Sequence, residues 1–337
     1  MSNTQCTLAA RPAGMVKDAD FSFVAADQPT AGDGQFVVRV DYLSIDPAMR
    51  TWMNAGRSYV PPVQIGEVMR ALGIGTVVES RHPGYSVGDL VSGLFGVQNF
   101  AVSDGAGVTT VDASAAPVTA HLGTLGISGL TAYFGLLDVG KPEPGQTVLV
   151  SGAAGSVGSV VGQIAKIKGC RVIGIAGGEE KCRWLVDEVG FDAAIDYRRD
   201  DLAAQLKTHA PDGVDVYFDN VGGATLEAAL NRLARGARVV LCGAISQYNI
   251  AGGDRPSGPA NYMQLLVARA SMTGFVIFDY AGRYPEAIAQ LSTWLSSGQL
   301  RADEHIVSGR VEDFPATLRK VFSGENTGKM ILAVEPG

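Results

Sequence analysis

Short apolar, β-branched runs broken by turn residues mark the first third of the chain. Beyond Ala120, apolar strands alternate with helical patterns. Gln35–Leu43 comes directly after the turn signal Gly32-Asp33-Gly34, and Gly75–Glu79 and Asp89–Phe95 are runs of the same kind. The stretch Arg81–Asp89 between the last two carries turn chemistry. Strands this short and this closely punctuated predict a small barrel or sandwich. From Thr147 the pattern predicts strands at Thr147–Ser151, Arg171–Ala176, Ala193–Asp196, Val214–Asp219, Arg238–Cys242 and Met272–Phe278. Helices are predicted between them at Gly155–Lys168, Glu179–Val189, Leu202–His209, Ala224–Leu233 and Tyr262–Arg269. Such alternation is that of an α/β fold with a parallel, doubly wound sheet covered on both faces. A helix at Tyr284–Ser297 comes next, then strands His305–Val307 and Met330–Val334 around a helix at Phe314–Phe322. These last elements are expected to return to the first domain. The expected division is residues 1–120 completed by 300–337, and 121–299.

A length of 337 residues fits about two domains. The 46% hydrophobic and 18% charged content excludes intrinsic disorder. Glycine, at 43 residues, is about twice its usual share without any Gly-X-Y period, so it must serve tight turns and close backbone approach. The net charge of -7 and the lack of a basic stripe argue against a nucleic-acid partner. Arg198-Arg199, the densest positive cluster, is followed at once by Asp200-Asp201. The greasiest stretch, Thr147–Ala176, is broken by glycines, Lys166, Lys168 and Arg171, so no membrane span is expected. The N-terminus lacks the basic and apolar regions of a signal peptide. Cys6, Cys170, Cys182 and Cys242 form no Cys-x-x-Cys pair, which suggests a reducing, cytoplasmic setting.

Ser151-Gly152-Ala153-Ala154-Gly155-Ser156-Val157-Gly158 comes after a predicted strand and opens a predicted helix. Glycines there let a backbone approach a pyrophosphate, and the helix start offers free N–H groups and a positive dipole end. The same pattern also suits a tight strand-to-helix turn; the further β/α segments favour a dinucleotide. A site for NAD carries an acid at the tip of the second strand. Here that strand ends Ile175-Ala176-Gly177-Gly178, with Glu179 and Glu180 better placed as first-turn helix residues. Lys181 and Tyr197 supply a cation and a phenol near this tip, which suits a 2′-phosphate, though Lys181 also reads as a solvated helix lysine. No metal is expected, because the cysteines are scattered and His82, His121, His209 and His305 are isolated. No G-x-S-x-G, S-x-x-K or Walker A pattern is present.

Several segments together resemble one family. They are Leu43–Arg50, Gly129–Leu137, Val161–Lys166, Val216–Gly223, Cys242–Asn249 and Gly324–Lys329. In this order and spacing the chain is similar to the zinc-free medium-chain dehydrogenase/reductases. The nearer branch holds leukotriene dehydrogenase/prostaglandin reductase, plant alkenal double-bond reductases and curcumin reductase. The resemblance implies a GroES-like β-barrel catalytic domain around an inserted Rossmann domain. It implies a homodimer, NADP(H) as cofactor, and α,β-unsaturated ketones or aldehydes as acceptors. Carried over by position, Gly155, Ser156, Val157 and Gly158 meet the diphosphate, and Lys181 and Tyr197 the 2′-phosphate. Asn220, Cys242, Gly243, Ala244, Ile245, Tyr248, Phe275, Val276, Ile277 and Asn326 line the rest of the cofactor site. Tyr248 is the candidate catalytic donor, against a plain reading as a loop tyrosine with a wet hydroxyl. Tyr59 and Ala48 are candidates for the substrate side, Ala48 standing where the family usually has tyrosine. Ala71-Leu72 replaces a glycine pair common in the family. A quinone reductase and a non-catalytic dinucleotide-binding sensor are the competing readings.

Overall fold

The computed structural model describes residues 2–114, 116–250, 256 and 258–335. Two units emerge, one running to Leu122 and resuming at Glu304, the other spanning Gly123–Asp303.

The first unit opens with a hairpin of β1 (Ser2–Leu8) and β2 (Phe21–Asp27). Next come β3 (Phe36–Ser44), the short α1 (Ala48–Trp52), β4 (Gly73–Ser80), β5 (Leu90–Gly93), β6 (Phe100–Ser103) and β7 (Thr109–Thr110). The second unit begins with α2 (Ile127–Phe134), extended by a π-helical turn, Gly135–Gly140. Then come β8 (Thr147–Ser151), α3 (Ser156–Ile167), β9 (Arg171–Ala176), α4 (Glu179–Asp187), β10 (Ala193–Asp196) and α5 (Leu202–His209). The unit continues with β11 (Val214–Asp219), α6 (Gly223–Leu230), β12 (Leu233–Leu241), α7 (Met263–Ala268), β13 (Ser271–Gly274) and α8 (Tyr284–Ser296). Finally β14 (Glu304–Gly309), α9 (Phe314–Ser323) and β15 (Lys329–Val334) belong to the first unit.

In the first unit β3 is the central strand. One edge pairs antiparallel with β4; the other is shared, by β6 over Phe36–Arg39 and by β15 over Tyr42–Ser44. Splitting one edge between two partners curls the sheet, and the buried Phe36, Val38, Val40 and Leu43 line its inside.

The second unit is a Rossmann sheet of six parallel strands, ordered β10-β9-β8-β11-β12-β13. Its order reverses between β8 and β11, so a crevice opens at their C-terminal ends. The core includes Leu149, Ile173, Ile195, Val214 and Leu230, each essentially unexposed. Burying such side chains stabilises the unit by ~1.5–3 kcal/mol apiece. Helix α3 lies unusually close to its neighbours, because a Cβ on Gly162 would sit 1.9 Å from Phe191 Cζ.

The largest departures from the sequence pattern fall around β12 and β13. The helix expected to reach Leu233 stops at Leu230, and Leu233 instead starts β12. The strand expected over Met272–Phe278 stops at Gly274. After it the chain leaves the sheet, as the Phe275 ring turns onto Gly135 and Phe218; a Cβ on Gly135 would meet it at 2.5 Å. A 3₁₀ segment, Ile277–Arg283, then takes over.

Candidate active site

The loop from β8 into α3 is shaped by glycines. Gly152 has φ +57°, and a Cβ on Gly158 would lie 2.4 Å from the Gly152 carbonyl oxygen and 2.8 Å from Ala153 Cα. Gly158 therefore lets the first turn of α3 seat directly on the loop. Helix α3 is capped by Gly155, whose lack of a side chain leaves the helix start open, and the Ser159 N–H donates to the Gly155 carbonyl. The Ser156 hydroxyl is buried there with no partner among the described residues. An orphaned donor at an open helix N-terminus suits an anionic oxygen, so the residues present fit a diphosphate.

At the tips of β9 and β10 a cationic corner forms around Gly177. A Cβ there would meet Arg198 Nε and Tyr197 Cε1 at 2.9 Å and the Tyr197 hydroxyl at 3.1 Å. The Arg198 guanidinium carbon lies 5.9 Å from the Tyr197 ring centroid. Burial lowers the pKa of the Lys181 ammonium, and the positive charge of Arg198 lowers it further. Two cations and a phenol thus gather where Ala176 leaves the sheet. The acid at this end, Asp196, is buried, with Oδ1 accepting from the Gly178 and Arg198 backbone N–H groups at 2.8 and 3.0 Å. Glu179 is engaged on the surface by Arg199 at 3.3 Å.

Across the crevice, the Asn220 N–H donates to Ser151 Oγ at 2.9 Å and its side-chain amide to the Ser151 carbonyl at 2.8 Å. Ser151 Oγ in turn donates to the buried Asp219 carboxylate. The backbone N–H groups of Cys242 and Gly243 donate to the Asp219 carbonyl, and that of Ile245 to the Asn220 carbonyl. These bonds carry the segment after β12 onto the end of β11. Burial, then the charge of Asp219, pushes the Cys242 thiol up to about 12, so it is no nucleophile. A short 3₁₀ turn, Ile245–Gln247, brings Tyr248 back over the segment. The Tyr248 hydroxyl accepts from the Ala244 N–H at 3.1 Å. A Cβ on Gly243 would lie only 2.9 Å from that hydroxyl, so glycine there makes its room. Phe275, Val276 and Ile277 come directly after β13, with Ile277 buried.

The remaining candidates lie in the first unit. Ala48 opens α1, and its carbonyl accepts from the Thr51 hydroxyl. Tyr59 is about half exposed, and the Trp52 indole donates to its hydroxyl at 3.4 Å. The Asn326 amide is buried and donates to the Gly328 carbonyl. The buried Lys329 reaches Asp46 at 2.6 Å and the Ile45 carbonyl at 3.1 Å, tying the Asn326 loop to the start of α1. Arg50 is a brace, donating to the Gly14 and Pro12 carbonyls and to Asn54.

Sequence reasoning did not single out Tyr217, Asp219 or Arg198. Arg198 had a visible signal, as it directly follows Tyr197, but the adjoining aspartates disguised it. Among the described residues no group of three or more His, Cys, Asp or Glu side chains is arranged to hold a metal, and no helix is long and apolar enough to cross a membrane.

Residues 4–111 match the family model for the N-terminal domain of oxidoreductase, and residues 156–293 that for zinc-binding dehydrogenase. The chain is 40% identical to the NADPH-dependent curcumin reductase of Escherichia coli (strain K12), over 98% of this chain and 97% of that one. It is 36% identical to the NADP(+)-dependent 2-alkenal reductase of Nicotiana tabacum, over 99% and 98%. Among solved structures, CurA from Vibrio vulnificus in complex with NADPH superposes with a TM-score of 0.93 at 42% identity, covering 99% of this chain and 100% of that one.

Proposed function

This chain belongs to the zinc-free branch of the medium-chain dehydrogenase/reductases, and on that basis we propose that it reduces the carbon–carbon double bond of α,β-unsaturated ketones and aldehydes. It is an NADP(H)-dependent oxidoreductase. The diphosphate belongs at Gly155–Gly158, the 2′-phosphate at Lys181, Tyr197 and Arg198. The nicotinamide half belongs beside Asn220, the 242–248 segment and Phe275–Ile277, and family position assigns Asn326 to the cofactor as well. NADPH, when bound, supplies the hydride that goes to the β-carbon of the acceptor.

The observation that carries the reading is the hydrogen bonding of Tyr248. Its hydroxyl accepts from the Ala244 N–H at 3.1 Å, which holds the phenol over Gly243 at the end of the crevice. As charge develops on the acceptor's carbonyl oxygen, the phenol donates a hydrogen bond to the enolate, whose α-carbon then takes a proton from water. An N–H bond into the phenol oxygen strengthens that donation. Family position assigns Tyr59 and Ala48 to the acceptor. Among the described residues no group of three or more His, Cys, Asp or Glu side chains is arranged to hold a metal beside a carbonyl.

An acceptor panel tests this. NADPH oxidation should be fast with a simple enone, slow with a quinone and negligible with no acceptor, and a chelator should leave the rate unchanged. A quinone preference, or loss of activity to the chelator together with stoichiometric zinc, would overturn the reading.

The proposed assembly is a homodimer. Among the described residues β13 pairs only with β12, leaving its other edge open. The adjoining α7 region exposes Tyr262, Met263, Leu266 and Val267. An open edge beside apolar side chains is covered by a second copy across a two-fold axis. Light scattering at micromolar concentration should give twice the chain mass; a monomer would refute it.

A further inference from the structure

We infer that Asp219 is an electrostatic tuning residue, whose buried carboxylate makes the cofactor site favour the oxidised over the reduced nicotinamide. The inference rests on the NADP(H) placement above and concerns a residue outside the cofactor-contacting set.

Asp219 ends β11 and is wholly buried. Its Oδ1 accepts from the Tyr217 hydroxyl at 2.7 Å, the Ser151 hydroxyl at 2.8 Å, and the Val221 and Gly222 N–H groups at 3.0 Å. Oδ2 accepts a longer bond from the Gly222 N–H at 3.2 Å. The carboxylate is the acceptor in every one of these contacts, as suits an anion. Among the described residues no ion pair involves it, so only dipoles answer its charge.

Its place in the sheet gives that charge a use. Ser151 ends β8, so the Ser151–Asp219 bond closes the floor of the crevice where the strand order reverses. With the adenosine end assigned to β9 and β10, the nicotinamide end falls on the β11 side of this floor. Asp219 lies directly against the lining there, since the Cys242 and Gly243 N–H groups donate to its carbonyl at 2.9 and 3.1 Å, and its charge helps raise the Cys242 thiol. The oxidised nicotinamide ring is a cation and the reduced ring is neutral. A fixed anion beneath the site stabilises the cation selectively, and a low-dielectric surrounding strengthens the effect. Hydride donation is thereby favoured.

The test is equilibrium binding of NADP+ and of NADPH to the full-length protein, monitored by fluorescence. Asp219→Asn keeps the shape and removes the charge. It should weaken NADP+ selectively, raising the ratio of Kd for NADP+ to Kd for NADPH by about tenfold. Tyr217→Phe keeps the charge and removes one donor that offsets it, so the same ratio should fall by about two- to threefold. Equal weakening of both forms in Asp219→Asn, or no change, would leave Asp219 a purely structural residue and overturn the inference. If Asp219→Asn fails to fold, Tyr217→Phe decides: an unchanged or rising ratio overturns it. Wild-type protein that binds neither form would overturn the cofactor placement itself, and the inference with it.

Discussion

Tyr248→Phe should lower kcat by about 100-fold or more, with a smaller change in KM for the enone. The substitution keeps the ring and removes one hydroxyl. That hydroxyl sits at 3.1 Å from the Ala244 N–H, over Gly243, whose missing side chain gives it room. A donor aimed at developing oxyanion charge contributes ~3–4 kcal/mol to the transition state and little to the ground state. Its loss therefore appears in kcat rather than in KM. Steady-state kinetics on the pure variant decide the matter. A near-normal kcat would remove the tyrosine from the chemistry.

Lys181→Ala should weaken NADPH by about 10- to 100-fold while leaving NADH little changed. A charge-assisted contact to a phosphate is worth ~1.5–3 kcal/mol, and NADH offers no phosphate at that position. Arg198 shares the corner, since a Cβ on Gly177 would meet both its Nε and the Tyr197 hydroxyl within 3.1 Å. Arg198→Ala should therefore act in the same direction, and the double variant should lose most of the preference for NADPH. The KM values for the two cofactors, measured side by side, check this. An equal loss for NADPH and NADH would show that these residues support the fold and not the 2′-phosphate.

Much of this architecture was legible in the residues. The strands Thr147–Ser151, Arg171–Ala176, Ala193–Asp196 and Val214–Asp219 stand in the structure where the apolar runs place them, because glycine or polar residues stop each run sharply. Met272–Phe278 misled, since Phe275 to Phe278 are as apolar as a strand, yet Phe275 turns inward to pack on Gly135 and Phe218. Local pattern cannot register that distant partner. Helix α2 was hidden for a related reason. Gly129 in its first turn reads as a breaker, but a Cβ there would lie 1.7 Å from the Thr124 carbonyl oxygen, so glycine is what lets the helix form against its own entry loop. Strand β1 is polar in sequence and gains its place by pairing with β2 along one edge and by backbone bonds to residues 66–69 and 97–99 along the other. At the site, glycine spacing marked the phosphate loop, whereas Asp219 lay inside a segment that looked like ordinary strand end. Its role emerges only when Ser151, 68 residues away in sequence, is brought beside it.

Identification of the product from NADPH and a simple enone tests the proposed chemistry most directly. The expected product is the saturated ketone with its carbonyl intact, hydride having gone to the β-carbon. An allylic alcohol as the main product would contradict it, because hydride would then have gone to the carbonyl carbon.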